Sequence, residues 1–189
     1  MYELLILGIL QIHNMSGYKL AQVLESSLEP RRVISNGVMY PLLNRLAKQG
    51  YIEIAAEPNT HRNKKMVQIT ELGRQRFQEL MAQPVAMDAK RESIYRFKFR
   101  GMASVDTATQ QAILADYAAA TQADLDSYQA FKTHVQAQVG VELAANTSLV
   151  TGARALDLSI AICHAKQAWT KQYQAKLKGH TSTRRTEPK

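Results

Sequence analysis

The chain is short of the residues that most chemistry needs. It has one cysteine and one tryptophan in 189 residues. A lone Cys163 cannot close a disulfide within the chain, so nothing here points to an oxidising compartment. In the run SIAICHAKQAW it reads as a small buried side chain. The apolar start MYELLILGILQI is too short to span a bilayer. It also lacks the basic stretch and small-residue cleavage site of a signal peptide. A cytoplasmic protein with no membrane partner is expected. No glycine-rich phosphate loop occurs. The histidines His13, His61, His134, His164 and His180 are scattered. Cys163 and His164 are adjacent, and neighbours on a helix point about 100° apart, which makes a poor chelate. No Ser–His–acid set can be argued. The expectation is no enzyme, no metal and no cofactor. Acidic side chains are also few, 16 against 24 Lys and Arg, for a net charge of +8. That excess favours a polyanionic partner without naming it.

What is present is helical periodicity. Leu4, Leu5, Gly8, Ile9 and Ile12 share one face of a first helix. Ser16 can cap a second, whose stripe reads Tyr18, Ala21, Leu24 and Leu28 until Pro30 ends it. Ser35 can cap a third, with Met39, Leu42, Leu43 and Leu46 on its apolar face and Gly50 as its stop. YIEIA and KMVQI alternate as strands around the polar turn PNTHRNK. Thr70 and Glu71 then restart a helix to about Met81, and Pro84 closes the unit. The second half shows no strand signal. Residues 88–101 form a short basic helix, with Lys90, Arg91, Arg96, Lys98 and Arg100 against Asp88 and Glu92. Ser104 or Asp106 caps a long helix to about Val139, with a stripe of Leu114, Tyr117, Thr121, Leu125, Tyr128, Phe131 or Lys132, Val135 and Val139. A last helix covers about 148–177, with Leu149, Ala153, Leu156, Ile160 and Cys163 on one face, flanked by Leu158, Ile162, Trp169, Tyr173 and Leu177. Two such helices need apolar cover along their length, and a second copy of the chain is the simplest supplier.

A helix followed by a hairpin with a basic tip is how a winged helix meets DNA. The third helix leaves Asn36, Gly37, Tyr40, Asn44, Arg45 and Lys48 opposite its buried stripe, and Ser35 at its start. Asn and Arg suit base edges, while Ser, Tyr and Lys suit phosphate. Arg62, Lys64 and Lys65 make the wing basic. The rival reading is a helical adaptor whose head binds protein. Acidic residues on the third helix would favour it, and none lies between Arg31 and Gly50.

The segments SGYKLAQVLE, VMYPLLNRLAKQGYI and ITELGR resemble, in order and spacing, the PadR family of bacterial winged-helix transcription regulators. The resemblance centres on Tyr40, Pro41, Leu43, Leu46 and Gly50, then Thr70, Glu71 and Gly73. It implies that Pro41 belongs inside the third helix despite its missing donor. The second wing strand departs from the family, with Met66, Val67 and Gln68 where an aromatic pair is common. The expected fold is mainly α with a small β-hairpin wing: an N-terminal winged helix-turn-helix domain at 1–84, a C-terminal long-helix dimerisation domain at 85–178, and a disordered polar tail at 179–189. The implied function is a homodimeric, effector-responsive repressor on a near-palindromic double-stranded DNA operator. Leu149, Leu156, Ile160, Trp169 and Tyr173 would serve dimerisation. Arg96, Phe99, Trp169 and Tyr173 would line a site for a small aromatic effector such as a phenolic acid.

Overall fold

A computed structural model describes residues 2–28, 34–56, 65–139 and 147–183. Its elements run α1 (Tyr2–Leu10), β1 (Met15–Ser16), α2 (Gly17–Ser27), α3 (Asn36–Lys48), β2 (Ile52–Ala56), β3 (Lys65–Ile69), α4 (Glu71–Ala82), α5 (Arg91–Gly101), α6 (Thr107–Val139) and α7 (Thr147–Thr183). The chain forms two compact units, Met1–Ile113 and Leu114–Lys189.

In the first unit the hairpin pairs Ile52 with Ile69 and Ala56 with Lys65. A third strand joins it, with Met15 opposite Val67 and Ser16 opposite Met66. The sheet order is therefore β1-β3-β2. A two-residue strand has no period to read, so β1 leaves no signal between the first two helices of the sequence pattern. Ser16 does cap α2, its Oγ accepting from the Lys19 N–H at 3.3 Å.

Two stripes are phased differently from the expectation. In α1 the buried residues are Leu4, Leu5, Ile6, Leu7 and Leu10, and Ile12 lies beyond the helix at 61% exposure. The helix touches α2, α4, α5 and β3, so it is enclosed on most sides instead of along one stripe. In α2 the buried positions are Leu20, Leu24 and Ser27, followed by Leu28, and Tyr18 is 73% exposed. The two leucines set the phase, and it turns Tyr18 outward.

The root of the wing is tightly made. Gly50 ends α3 with φ 74°, a backbone conformation that disfavours any side chain. Thr70 then ties that turn to the start of α4 with three hydrogen bonds. Its N–H donates to the Tyr51 carbonyl at 3.1 Å, its hydroxyl donates to the Gly50 carbonyl at 2.6 Å, and its Oγ1 accepts from Gly73 N–H at 3.0 Å. A Cβ at Gly73 would lie 2.0 Å from the Tyr51 oxygen, so no other residue fits without moving backbone.

Phe77 of α4 is fully buried between two glycines. Cβ atoms there would stand 3.2 Å from its ring at Gly8 of α1 and 2.9 Å at Gly101 of α5. Lys98 of α5 is 3% exposed, and its Nζ donates to the carbonyls of Met81 (2.8 Å) and Gln83. The ammonium thus satisfies acceptors at the end of α4, where a cation is favoured. Arg76 of α4 binds Glu3 (2.8 Å) and Glu79 (3.0 Å), and these partners raise its pKa, Glu3 most.

The second unit holds α7 and most of α6, two antiparallel helices. Asp106 begins α6, its Oδ1 accepting from Thr109 N–H at 2.7 Å, which holds its carboxyl below the usual range. Their register is fixed by Lys132–Asp157 (2.5 Å), Gln122–Gln167 (2.7 Å) and the edge-to-face Tyr117–Trp169 pair (6.3 Å). Leu114, Tyr117, Thr121, Leu125 and Cys163 are buried, whereas Phe131 is 56% exposed. α7 continues to Thr183, five residues into the segment read as a tail. Residues 184–189 lie outside the described residues.

These close contacts make a stability test. Gly73→Ala should cost about 3 kcal/mol or more and Gly101→Ala about 1–3 kcal/mol, since both overpack fixed neighbours. Gly152→Ala in α7, where nothing lies within 4 Å, should instead add up to about 1 kcal/mol through helix propensity. Thermal unfolding of the three variants checks the ordering.

Candidate nucleic-acid interface

α3 has 13 residues and spans about 20 Å at 1.5 Å per residue. Met39, Leu43 and Leu46 are buried and Leu42 is half-buried. The opposite side presents Gly37, Tyr40, Pro41, Asn44, Arg45 and Lys48, all exposed, with Tyr40 at 52%. The side chain of Asn36 lies outside the described residues. Ser35 stands at the N-cap with extended backbone. Its carbonyl accepts from Val38 and Met39 N–H, but its hydroxyl, expected as the cap, makes no capping bond. α3 carries no acidic residue from Asn36 to Lys48. A helix of this width fits a major groove, and its Asn and Arg can bond base edges.

The hairpin follows α3 directly through Gly50. Lys65 opens β3 and is exposed. Arg62 and Lys64, the other two cations expected at the tip, lie outside the described residues. On the exposed side of the strands Gln68 Nε2 donates to Glu53 Oε2 at 2.9 Å. The hairpin surface is thus polar at Gln68.

Sequence reasoning missed a group on α2. Tyr18, Lys19 and Gln22 are exposed, and Gln22 Nε2 donates to the Tyr18 hydroxyl at 3.0 Å. Counting the helical phase from Leu20 and Leu24 would have found them. At the other end of this face Glu25 Oε1 accepts from Ile34 N–H at 3.2 Å, just before α3 begins.

The residues expected to serve dimerisation and effector binding separate by environment. Leu156, Ile160 and Tyr173 are half-buried, and Trp169 is 40% exposed. The side chain of Leu149 lies outside the described residues. Trp169 stacks on Tyr173 with ring centroids 5.5 Å apart, and Lys166 Nζ lies 5.9 Å over the Tyr117 ring. Arg96 and Phe99, exposed and half-buried, belong to the first unit. Lys98, one of the cations of the basic stretch 88–101, is engaged by backbone carbonyls. A cavity of about 230 Å³ in the first unit is lined by Glu3, Leu4, Leu80, Val85, Ile94 and Lys98. Its two charged walls are already bound to Arg76 and to the end of α4. Among the described residues no group of His, Cys, Asp or Glu is placed to hold a metal, and no helix is long and apolar enough to cross a membrane.

Residues 6–79 match the model of the Transcriptional regulator PadR-like family. Among solved structures the chain is similar to Bacillus subtilis PadR in complex with operator DNA (19% identity, 93% of this chain and 97% of that chain, TM-score 0.41). It is similar to the same protein in complex with p-coumaric acid (19%, 93% and 98%, TM-score 0.39). A third is the PadR-like transcriptional regulator BC1756 from Bacillus cereus (23%, 94% and 98%, TM-score 0.37). No curated protein is a significant match. The matched residues 6–79 are the winged-helix head, so the likeness to the PadR-like family of transcriptional regulators rests on that part of the chain.

Proposed function

We propose that the protein is a sequence-specific repressor that binds a near-palindromic operator as a homodimer. The observation that carries this is the exposed side of α3, where Tyr40, Asn44, Arg45 and Lys48 stand opposite the buried Met39, Leu43 and Leu46. Asn36, Asn44 and Arg45 read bases, while Ser35, Tyr40, Lys48 and the wing cations Arg62, Lys64 and Lys65 hold phosphates. Two heads in a dimer engage successive major grooves.

Exposed apolar residues on α7 favour a second copy as their cover. Leu158 is 64%, Ile162 46% and Trp169 40% exposed. With Ala155 and Ala165 they fall at alternating three- and four-residue steps, the spacing of a helix seam. The seam we propose therefore lies on this face, beside the half-buried Leu156 and Ile160. The tyrosine–tryptophan group Tyr117, Trp169 and Tyr173, with Lys166 nearby, suits a flat aromatic acid as effector.

Arg45→Ala should weaken binding to a selected operator by about 1–3 kcal/mol and relax specificity at one base, with the thermal midpoint unchanged. If the midpoint falls by several degrees while affinity per folded molecule holds, Arg45 is structural and the assignment of α3 fails.

Leu158→Asp combined with Ile162→Asp should convert a dimer to a monomer in sedimentation. An intact chain that sediments as a monomer at micromolar concentration sinks the dimer.

Saturable quenching of Trp169 fluorescence by p-coumaric acid, with operator affinity lowered by about 5–150-fold, is expected of an effector coupled to DNA. No change in either signal with any aromatic acid makes Trp169 a packing residue.

A further inference from the structure

Resting on the regulator reading, we infer that Val38 of α3 recognises the methyl group of a thymine, and so fixes one base of each operator half-site by apolar contact alone. Val38 is 49% exposed, while Met39 beside it is buried. A single exposed valine needs no explanation. This one stands where base reading calls for donors and acceptors. By helical spacing the exposed side of α3 divides into two strips. Gly37, Tyr40, Asn44 and Lys48 follow one, and Val38, Pro41 and Arg45 follow the other at i, i+3 and i+7. The second strip ends in a cation and has no hydrogen-bonding side chain before it. Its backbone adds no donor either. The Val38 N–H already donates to the Ser35 carbonyl at 2.9 Å, and Pro41 has no N–H.

Gly37 keeps the ground beside Val38 low. A Cβ there would meet only Ser35 Oγ, at 3.8 Å, so the space stands open for a base edge to approach. Helices that enter the major groove reach base edges with their N-terminal residues, and this smooth patch lies in the first two turns of α3. Chemistry then selects the base. In that groove guanine shows two acceptors, adenine an acceptor and a donor, cytosine a donor, and thymine an acceptor and a methyl group. A polar edge pressed on Val38 and Pro41 loses water and finds no partner, which is unfavourable. The thymine methyl is the one apolar group among these edges. Arg45 follows Val38 by about 10 Å along the helix at 1.5 Å per residue. At roughly 3.4 Å per base pair, the methyl contact and the Arg45 contact fall on different pairs.

The test begins with the full chain selecting an operator from a pool of random duplexes. Each thymine of the selected half-site is then replaced by deoxyuridine, which removes the methyl group and nothing else. Affinity is read by anisotropy of the fluorescein-labelled duplex. One replacement per half-site should weaken binding about fourfold, the worth of one buried methyl group. At that position Val38→Ala should bind thymine and uracil alike. Val38→Thr keeps the shape but adds a hydroxyl, and should narrow the preference. Both variants should melt with the wild type, whereas a valine that only packs would lower the melting temperature and leave the thymine-to-uracil ratio alone. A half-site without thymine, a half-site in which every thymine tolerates replacement, or a wild-type ratio in Val38→Ala overturns the inference. If Arg45→Ala still weakens operator binding in that case, the α3 reading survives without it. If the intact chain selects no sequence from the pool, the regulator reading falls and this one with it.

Discussion

The close approach of Gly73 to the Tyr51 carbonyl governs the head of this protein. Two stretches of backbone meet there with no room for a methyl group. Everything that could read DNA is referred to that point. α3 ends two residues before Gly50, β2 leaves from Tyr51, β3 returns to Thr70, and α4 starts at Glu71. Thr70 then joins them with three hydrogen bonds, two on its hydroxyl and one from its backbone. The exit of α3 and the root of the wing are thereby one piece of structure. Their relative placement does not depend on long side chains, which would cost rotamer freedom to hold. A site that must match a rigid helical polymer gains from being set by backbone contact.

A second constraint of the same kind attaches α5 to the head. Phe77 fills the space that Gly8 and Gly101 leave, so α1, α4 and α5 close around one ring. Lys98 adds a charged tie from α5 to the last carbonyls of α4. Burying an ammonium is expensive unless acceptors surround it, and helix ends supply acceptors already oriented. This explains why the first compact unit runs on to Ile113 and takes in α5, past the Pro84 at which sequence patterning suggests a join. The basic excess of residues 88–101 reads as a charged surface, yet one of those cations is structural.

The sequence made α3, both hairpin strands and α4 legible because each carries its own period and its own punctuation. Met39, Leu43 and Leu46 mark the buried side, Gly50 the stop, and Thr70 the next start. It misplaced what depends on partners distant in the chain. Ile12 fits a helical face by spacing, but the helix ends before it. Tyr18 fits one by hydropathy, but Leu20 and Leu24 set the phase. β1 is two residues long, and only pairing with β3, some fifty residues later, makes it a strand. Lys98 looks like any surface cation until α4's carbonyls are seen around it. The common cause is that amphipathic residues such as Tyr and Lys are stable on either side of a boundary, so local pattern cannot assign them. The polar side of α3 was legible because its alternative, a buried Asn, Arg and Lys together, is so costly.

The second unit has the opposite character. Its two helices are tied by a lysine–aspartate pair, a glutamine pair and one aromatic contact. Exposed polar ties of this sort add little stability but choose a register, because sliding one helix by a turn breaks all of them together. The apolar residues divide between two uses. Leu114, Leu125 and Cys163 are spent inside the unit, while Leu158, Ile162 and Trp169 remain outside. A pair of helices has one shared seam, and side chains beyond it stay wet unless another surface arrives. In the dimer proposed above, that surface is the same face of a second copy, and covering it contributes both to folding and to assembly. The stability of the unit then rises with protein concentration. The two heads become available to adjacent half-sites only in the assembled form, so the contact that completes the fold also creates the two-headed reader that a palindrome requires.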